Sequence, residues 1–269
     1  MSDTSLFISV GKQQLHYRQW GSGKRLLLAF HGYGNDALIF APFKEYLAAE
    51  YTILSFDLPH HGDSKWPDNT LLTQSDLISL VEAIKEKHKA TKLSLVGYSM
   101  GGRICMAIAQ HMPQYMDKVV LIAADGLTTN SVYYFCTRTW IGKKIFMNML
   151  RKPARYLGLI DLLKRIKILD PTRYRFVTHH LKSAENRNFL LQVWSCTSDL
   201  VPEPRRLREV IRQYRIQVFI FMGAHDRIMP VSLAKRFGKG LDTVQVFILD
   251  KGHRVFDDEN ARRIAESLL

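Results

Sequence analysis

Six short runs of nearly continuous apolar residues recur along the chain, at 25–30 (RLLLAF), 51–57 (YTILSFD), 93–97 (LSLVG), 118–124 (KVVLIAA), 216–223 (IQVFIFMG) and 243–250 (TVQVFILD). Runs of this kind read as strands buried on both faces. A sheet buried on both faces needs a cover on each. Helical periodicity supplies it over 43–50, 75–88, 100–111, 231–238 and 258–269. Strand and helix in alternation predict an α/β architecture, a mostly parallel central sheet with helices on both faces. Alternating apolar residues at 6–10 and 15–20 flank Gly11-Lys12 and predict an antiparallel hairpin at the N-terminal edge.

The alternation stops after residue 124. From 127 to 204 the text is aromatic, basic and helical, with no buried-strand run. The expected layout is therefore a core built from 1–126 and 205–269, interrupted by a helical insertion at 127–204. The length of 269 residues suits one domain with such an insertion.

Charge is distributed as unevenly as the strands. Residues 126–200 hold thirteen Lys and Arg against four Asp and Glu, so +9 of the chain's net +13 lies there. A basic field attracts anionic substrates, nucleic acid or acidic membrane surfaces. No nucleic-acid-binding motif accompanies the charge, so no nucleic-acid partner is expected. Contact of the basic, apolar insertion with a membrane surface stays open. No run of about 18 apolar residues exists to span a bilayer. The start carries no basic region followed by a long apolar one, as a secretory signal would. Cys105, Cys136 and Cys196 are odd in number and lack CxxC spacing, which argues against a disulfide framework or a structural zinc. Together these point to a cytoplasmic protein.

In a parallel sheet, ligands collect beyond the carboxyl ends of the strands. The loops there read HGYGND, DLPHHGDS, GYSMGGR, GAHDRIMP and KGHRV. Gly-x-Ser-x-Gly between a strand and a helix lifts a serine out of the sheet at a helix N-terminus, where free N–H groups favour negative charge. Ser99 is thus a candidate nucleophile. A hydroxyl needs a base to take its proton, and His253 is placed to be one. Asp226 is the candidate that orients the imidazole, with Asp125 after the 118–124 run as its rival.

The motifs HGYG at 31–34, GYSMGG at 97–102, GAHD at 223–226 and KGH at 251–253 resemble those of the α/β-hydrolase superfamily. The resemblance covers nearly all of the chain outside the insertion. It implies a catalytic triad in the order Ser99, Asp226, His253, and an oxyanion hole from the backbone N–H groups of Tyr33 and Met100. It also implies that the insertion is a helical cap, that the substrate is a small molecule, and that no cofactor is needed. His31 is expected to shape its loop, Tyr98 to pack the elbow or line the pocket, and Asp57 to hold a structural loop. The pair His60-His61 lacks a third ligand at convincing spacing, so no metal is expected.

Arg103, one turn into the helix after Ser99, has two readings: a charge with a local partner, or a clamp for a substrate carboxylate. GYSxGGR also resembles the elbow of the menaquinone-pathway SHCHC synthases, which use the same triad for an elimination. The expected activity is a serine hydrolase acting on an ester, thioester or C–C bond. The alternatives are a triad-based lyase for an anionic carboxylate and a non-catalytic ligand-binding protein.

Overall fold

The computed structural model describes residues 3–269. Among them, the strands are β1 (Thr4–Val10), β2 (Gln13–Trp20), β3 (Arg25–Phe30), β4 (Tyr51–Phe56), β5 (Leu93–Tyr98), β6 (Met116–Ile122), β7 (Gln217–Gly223) and β8 (Val244–Leu249). They form one sheet in the order β1-β2-β4-β3-β5-β6-β7-β8. β1 and β2 pair antiparallel around a two-residue turn whose first residue, Gly11, has a φ of 60°. β2 pairs antiparallel with β4, and every later pairing is parallel.

Burial follows the strand order. β5 is buried throughout and β3 from Leu26 onward, as continuous apolar runs in the middle of a covered sheet require. β8 departs from the expectation of burial on both faces, since Leu249 is its one buried residue. It is the last strand in the order and has a neighbour on one side only. The run at 118–124 leaves the sheet earlier than its apolar text suggests, because Ala123 turns to a φ of 43°.

The helices are α1 (Phe43–Leu47), α2 (Gln74–His88), α3 (Met100–His111), α4 (Ser131–Arg138), α5 (Trp140–Arg151), α6 (Ala154–Arg165), α7 (Pro171–Lys182), α8 (Ala184–Cys196), α9 (Pro204–Tyr214), α10 (Val231–Gly238) and α11 (Asp258–Glu266). None is long and apolar enough to cross a membrane. α9 was not foreseen as an element of its own. It begins with Pro204 in the first turn and buries only Leu207 and Ile211, one helical turn apart.

The described chain divides into two compact units. The first runs to Pro67, resumes over Leu72–Thr129 and Asp199–Leu269, and holds the sheet with α1–α3 and α9–α11. Its core packs Trp20, Phe43, Tyr51, Val96, Phe221 and Ile264. The second unit comprises Asp68–Leu71 and Asn130–Ser198, and holds α4–α8. Four of its five helices start on a side-chain cap, from Asn130, Thr139, Asp170 and Ser183. Its small core centres on Trp194, which stacks on Phe146 at 5.4 Å between ring centres and meets Tyr133 edge-on at 5.3 Å.

Candidate active site

β5 ends at Tyr98 and α3 begins at Met100, so Ser99 stands alone in the turn between them. Its φ of 48° and ψ of −113° are costly for a residue with a Cβ. The neighbouring backbone holds it there. Ser99 N–H donates to the Ile122 carbonyl at 2.9 Å, and its own carbonyl accepts from Gly102 N–H at 3.0 Å and Asp125 N–H at 2.9 Å. The flanking glycines are a steric requirement. A Cβ on Gly97 would lie 2.5 Å from the Gly101 carbonyl oxygen, and one on Gly101 would collide with the Phe30 carbonyl.

Ser99 occupies the N-cap position of α3, where a serine side chain ordinarily accepts from the helix backbone. Here it makes no capping bond. Its Oγ lies 3.1 Å from His253 Nε2 instead. The other ring nitrogen, Nδ1, lies 2.7 Å from Asp226 Oδ2. An ionised carboxylate only accepts, so Nδ1 carries the proton and Nε2 offers its lone pair to the Ser99 hydroxyl. Asp226 is buried and fixed by its second oxygen, which accepts from the N–H groups of Ile228 at 2.8 Å and Met229 at 2.9 Å. Tyr98 OH donates to the His253 carbonyl at 3.3 Å, tying the histidine loop to the strand that carries the serine.

The loops bearing Asp226 and His253 are sewn to each other by backbone. Ala224 N–H donates to the Leu249 carbonyl at 2.8 Å and His225 N–H to the Lys251 carbonyl at 3.0 Å. Gly223 permits this approach, since a Cβ there would lie 2.6 Å from the Lys251 carbonyl oxygen. The neighbouring His225 takes no part in it with its side chain, which pairs with the exposed Asp250 at 2.8 Å.

The loop after β3 closes the other side. A Cβ on Gly32 would stand 3.1 Å from Ser99 Cβ, so the backbone leading into Tyr33 lies against the serine. Met100 is the first residue of α3, and its N–H belongs to the helix's unpaired first turn. Two histidines set the loop's shape. His31 donates from Nδ1 to the Gly32 carbonyl at 2.7 Å and accepts at Nε2 from Leu58 N–H at 2.9 Å. His61 donates from Nδ1 to the Pro59 carbonyl at 2.9 Å and accepts from Gly34 N–H at 3.1 Å. Both rings need a lone pair on Nε2, so both are neutral. Burial enforces this, lowering the pKa of His31 to about 4 and of His61 to about 3.

Arg103 is buried, and its guanidinium pairs with Asp125. Asp125, the rival acid, therefore faces an arginine, while Asp226 faces the histidine. A second arrangement of the same three residue types was not foreseen: Ser5 Oγ lies 2.7 Å from His16 Nε2, and His16 Nδ1 lies 2.7 Å from Asp57 Oδ2. It depends on the β1–β2–β4 register, which no local motif announces. Ser5 stands within β1, the edge strand, rather than in a strand-to-helix turn. His16, Asp57 and Asp63 also form the one group among the described residues with ligand atoms close enough for a metal. Of these groups, His16 Nδ1 and Asp57 Oδ2 are already bonded to each other. Asp57 accepts from His16, from Ala37 N–H at 2.6 Å and from Asp63 N–H at 2.9 Å.

A family model described as the alpha/beta hydrolase fold matches residues 25–176, more than half of the chain. The uncharacterized hydrolase YugF of Bacillus subtilis is 25% identical over 264 residues, covering 94% of this chain and 91% of that protein. A 2-hydroxy-6-oxononadienedioate/2-hydroxy-6-oxononatrienedioate hydrolase of Paraburkholderia phymatum is 24% identical over 269 residues, covering 95% of this chain and 90% of that protein. Among solved structures, a hydrolase from Pseudomonas aeruginosa aligns with a TM-score of 0.68 at 18% identity, over 100% of this chain and 98% of that one.

Proposed function

We propose that this chain, which belongs to the α/β-hydrolase family, is a serine hydrolase that opens a small ester, thioester or activated C–C bond through an acyl-enzyme on Ser99. The observation that carries the proposal is the unbroken relay from Ser99 Oγ to His253 at 3.1 Å and from His253 to Asp226 at 2.7 Å. In the reaction, Ser99 Oγ attacks the substrate carbonyl as its proton passes to His253 Nε2. Asp226 stabilises the imidazolium. The N–H groups of Met100 and Tyr33 hold the oxyanion, each donor contributing roughly 10²–10³ in rate. Collapse expels the leaving group, which takes the proton from His253. Water, deprotonated by the same ring, then releases the acyl group as an acid and restores Ser99.

An activated-serine probe such as a fluorophosphonate should label the protein. Ser99→Ala should abolish both labelling and ester turnover while the circular dichroism spectrum stays unchanged. Labelling that persists in that variant, at Ser5 or elsewhere, would overturn the assignment.

A finer reading within this class is a substrate that carries carboxylates. It is supported by the net charge of +13 and by the relative from Paraburkholderia phymatum, whose name specifies a dioate. The pairing of Arg103 with Asp125 supports an anchoring role for that arginine rather than a grip on substrate. A lyase that depends on such a grip has correspondingly less in its favour.

A further inference from the structure

Helices α5 and α6 carry apolar side chains on the wrong side for a globular unit. α5 buries Gly142, Phe146 and Leu150, spaced one turn apart on one face. Outside that buried face, Trp140, Ile141 and Ile145 are exposed at 74%, 58% and 46%, with Ile141 and Ile145 one turn apart. In α6 the buried residue is Ile160, while Leu159, Leu162 and Ile166 are exposed at 53%, 51% and 54%. Their spacing of three and four residues makes one continuous stripe along that helix. Ile168, just beyond, is 68% exposed. Scattered exposed apolar residues are ordinary, but stripes at helical spacing on two successive helices mark an interaction surface.

The charge around the stripes names the partner. Residues 138–167 contain nine Lys and Arg and a single acid, Asp161. The basic residues fringe the apolar ones. Lys143 and Lys144 follow Trp140 by one turn of α5, Arg155 precedes Leu159 by one turn, and Lys164, Arg165 and Lys167 flank Ile166 in sequence. Lys144 Nζ lies 4.8 Å from the Trp140 ring centre, so that ring and a cation share one face. A bilayer with anionic headgroups satisfies all of this. Apolar side chains and the indole enter the headgroup–acyl boundary, while Lys and Arg stems reach back to the phosphates. A second copy of the chain would bring like charge against like charge. Nucleic acid would leave the Leu and Ile stripe without a partner.

We propose that the outward faces of α5 and α6 dock this chain peripherally on an anionic lipid bilayer. The test is flotation of the full chain with vesicles of phosphatidylcholine and phosphatidylglycerol in equal parts, beside vesicles of phosphatidylcholine alone. The expected result is binding to the anionic vesicles that weakens with added salt and is roughly tenfold or more weaker on neutral ones. The triple variant Leu159→Gln, Leu162→Gln, Ile166→Gln should lose that binding, and so should Lys143→Glu with Lys144→Glu. Both should keep wild-type turnover of a soluble short-chain ester, which reports on folding. The single variant Ile141→Ser serves should the triple variant fail to fold, and should weaken binding alone. Three results would overturn the proposal. One is a chain that does not float with anionic vesicles at low salt. Another is binding lost in the lysine variant but untouched in the apolar ones, which marks simple polyanion attraction. The third is a wild-type homodimer in sedimentation that the apolar variant disperses, with no flotation of the wild type on anionic vesicles.

Discussion

Asp125 and Asp226 both stand just after a core strand, and each is bonded to a different cation or cation-to-be. Asp226 meets His253, whereas Asp125 meets the buried guanidinium of Arg103. Substitution should separate their roles cleanly. Asp226→Asn keeps the shape but lets the imidazole take the wrong tautomer, and kcat should fall about 10⁴-fold with a small change in stability. Asp125→Asn should leave kcat within about tenfold while lowering the unfolding free energy by about 3 kcal/mol, since it removes the charge opposite a buried arginine. Urea unfolding beside steady-state kinetics reads both. A fall in kcat for Asp125→Asn as large as that for Asp226→Asn would mean the wrong acid has been assigned. Motif spacing alone left both acids available, because the choice depends on how two loops fold rather than on where either sits in the chain.

At the scale of elements, the loops after β3 and β4 are joined by two histidines that must stay neutral to do it. Each has a folded-state pKa near 3 to 4, below the 6.5 of an unconstrained ring. Above about pH 6.5 neither folded nor unfolded chain binds the proton, so their contribution is fully present. As pH falls below that value the unfolded chain takes up protons that the folded one refuses. Stability should therefore decline from about pH 6.5 toward pH 4, by on the order of 2 kcal/mol per histidine at about pH 5. Denaturant midpoints measured across this range check it. His61→Gln keeps an acceptor for Gly34 N–H without the proton, and should flatten the acid slope by about one histidine's share. An unchanged slope would place the acid sensitivity elsewhere. The strands that frame these loops were legible because continuous apolar text has one reading in a covered sheet. β8 was misjudged on that same rule, since an edge strand can carry apolar text and still face solvent. α9 lies in the stretch after 204 expected to belong to the core, but nothing there reads as a helix because five arginines at 205–215 hide its two core residues. The Ser99, Asp226 and His253 loops were legible from glycine-rich motifs at strand ends. The His16–Asp57 bond was not, because it joins residues 41 apart through sheet register.

For the molecule as a whole, net charge is a property of the field rather than of the fold. A chain at +13, with +9 of it between residues 126 and 200, draws anions toward itself over distances that salt then shortens. At about 0.15 M salt the screening length is about 8 Å, and exposed charges farther apart than that are largely masked. This separates the two substrate readings without knowledge of the pocket. A pair of chromogenic esters matched in length, one ending in a carboxylate and one in a methyl group, is compared across ionic strength. If the natural substrate bears carboxylates, kcat/KM for the charged ester should be the higher at low salt. It should fall severalfold as salt rises, with the loss in KM and kcat nearly constant. The neutral ester should show a flat response, which also controls for any salt effect on the fold. Preference for the neutral ester at every salt concentration, with equal slopes for the pair, would remove carboxylate-bearing substrates and leave a hydrolase of uncharged esters or thioesters.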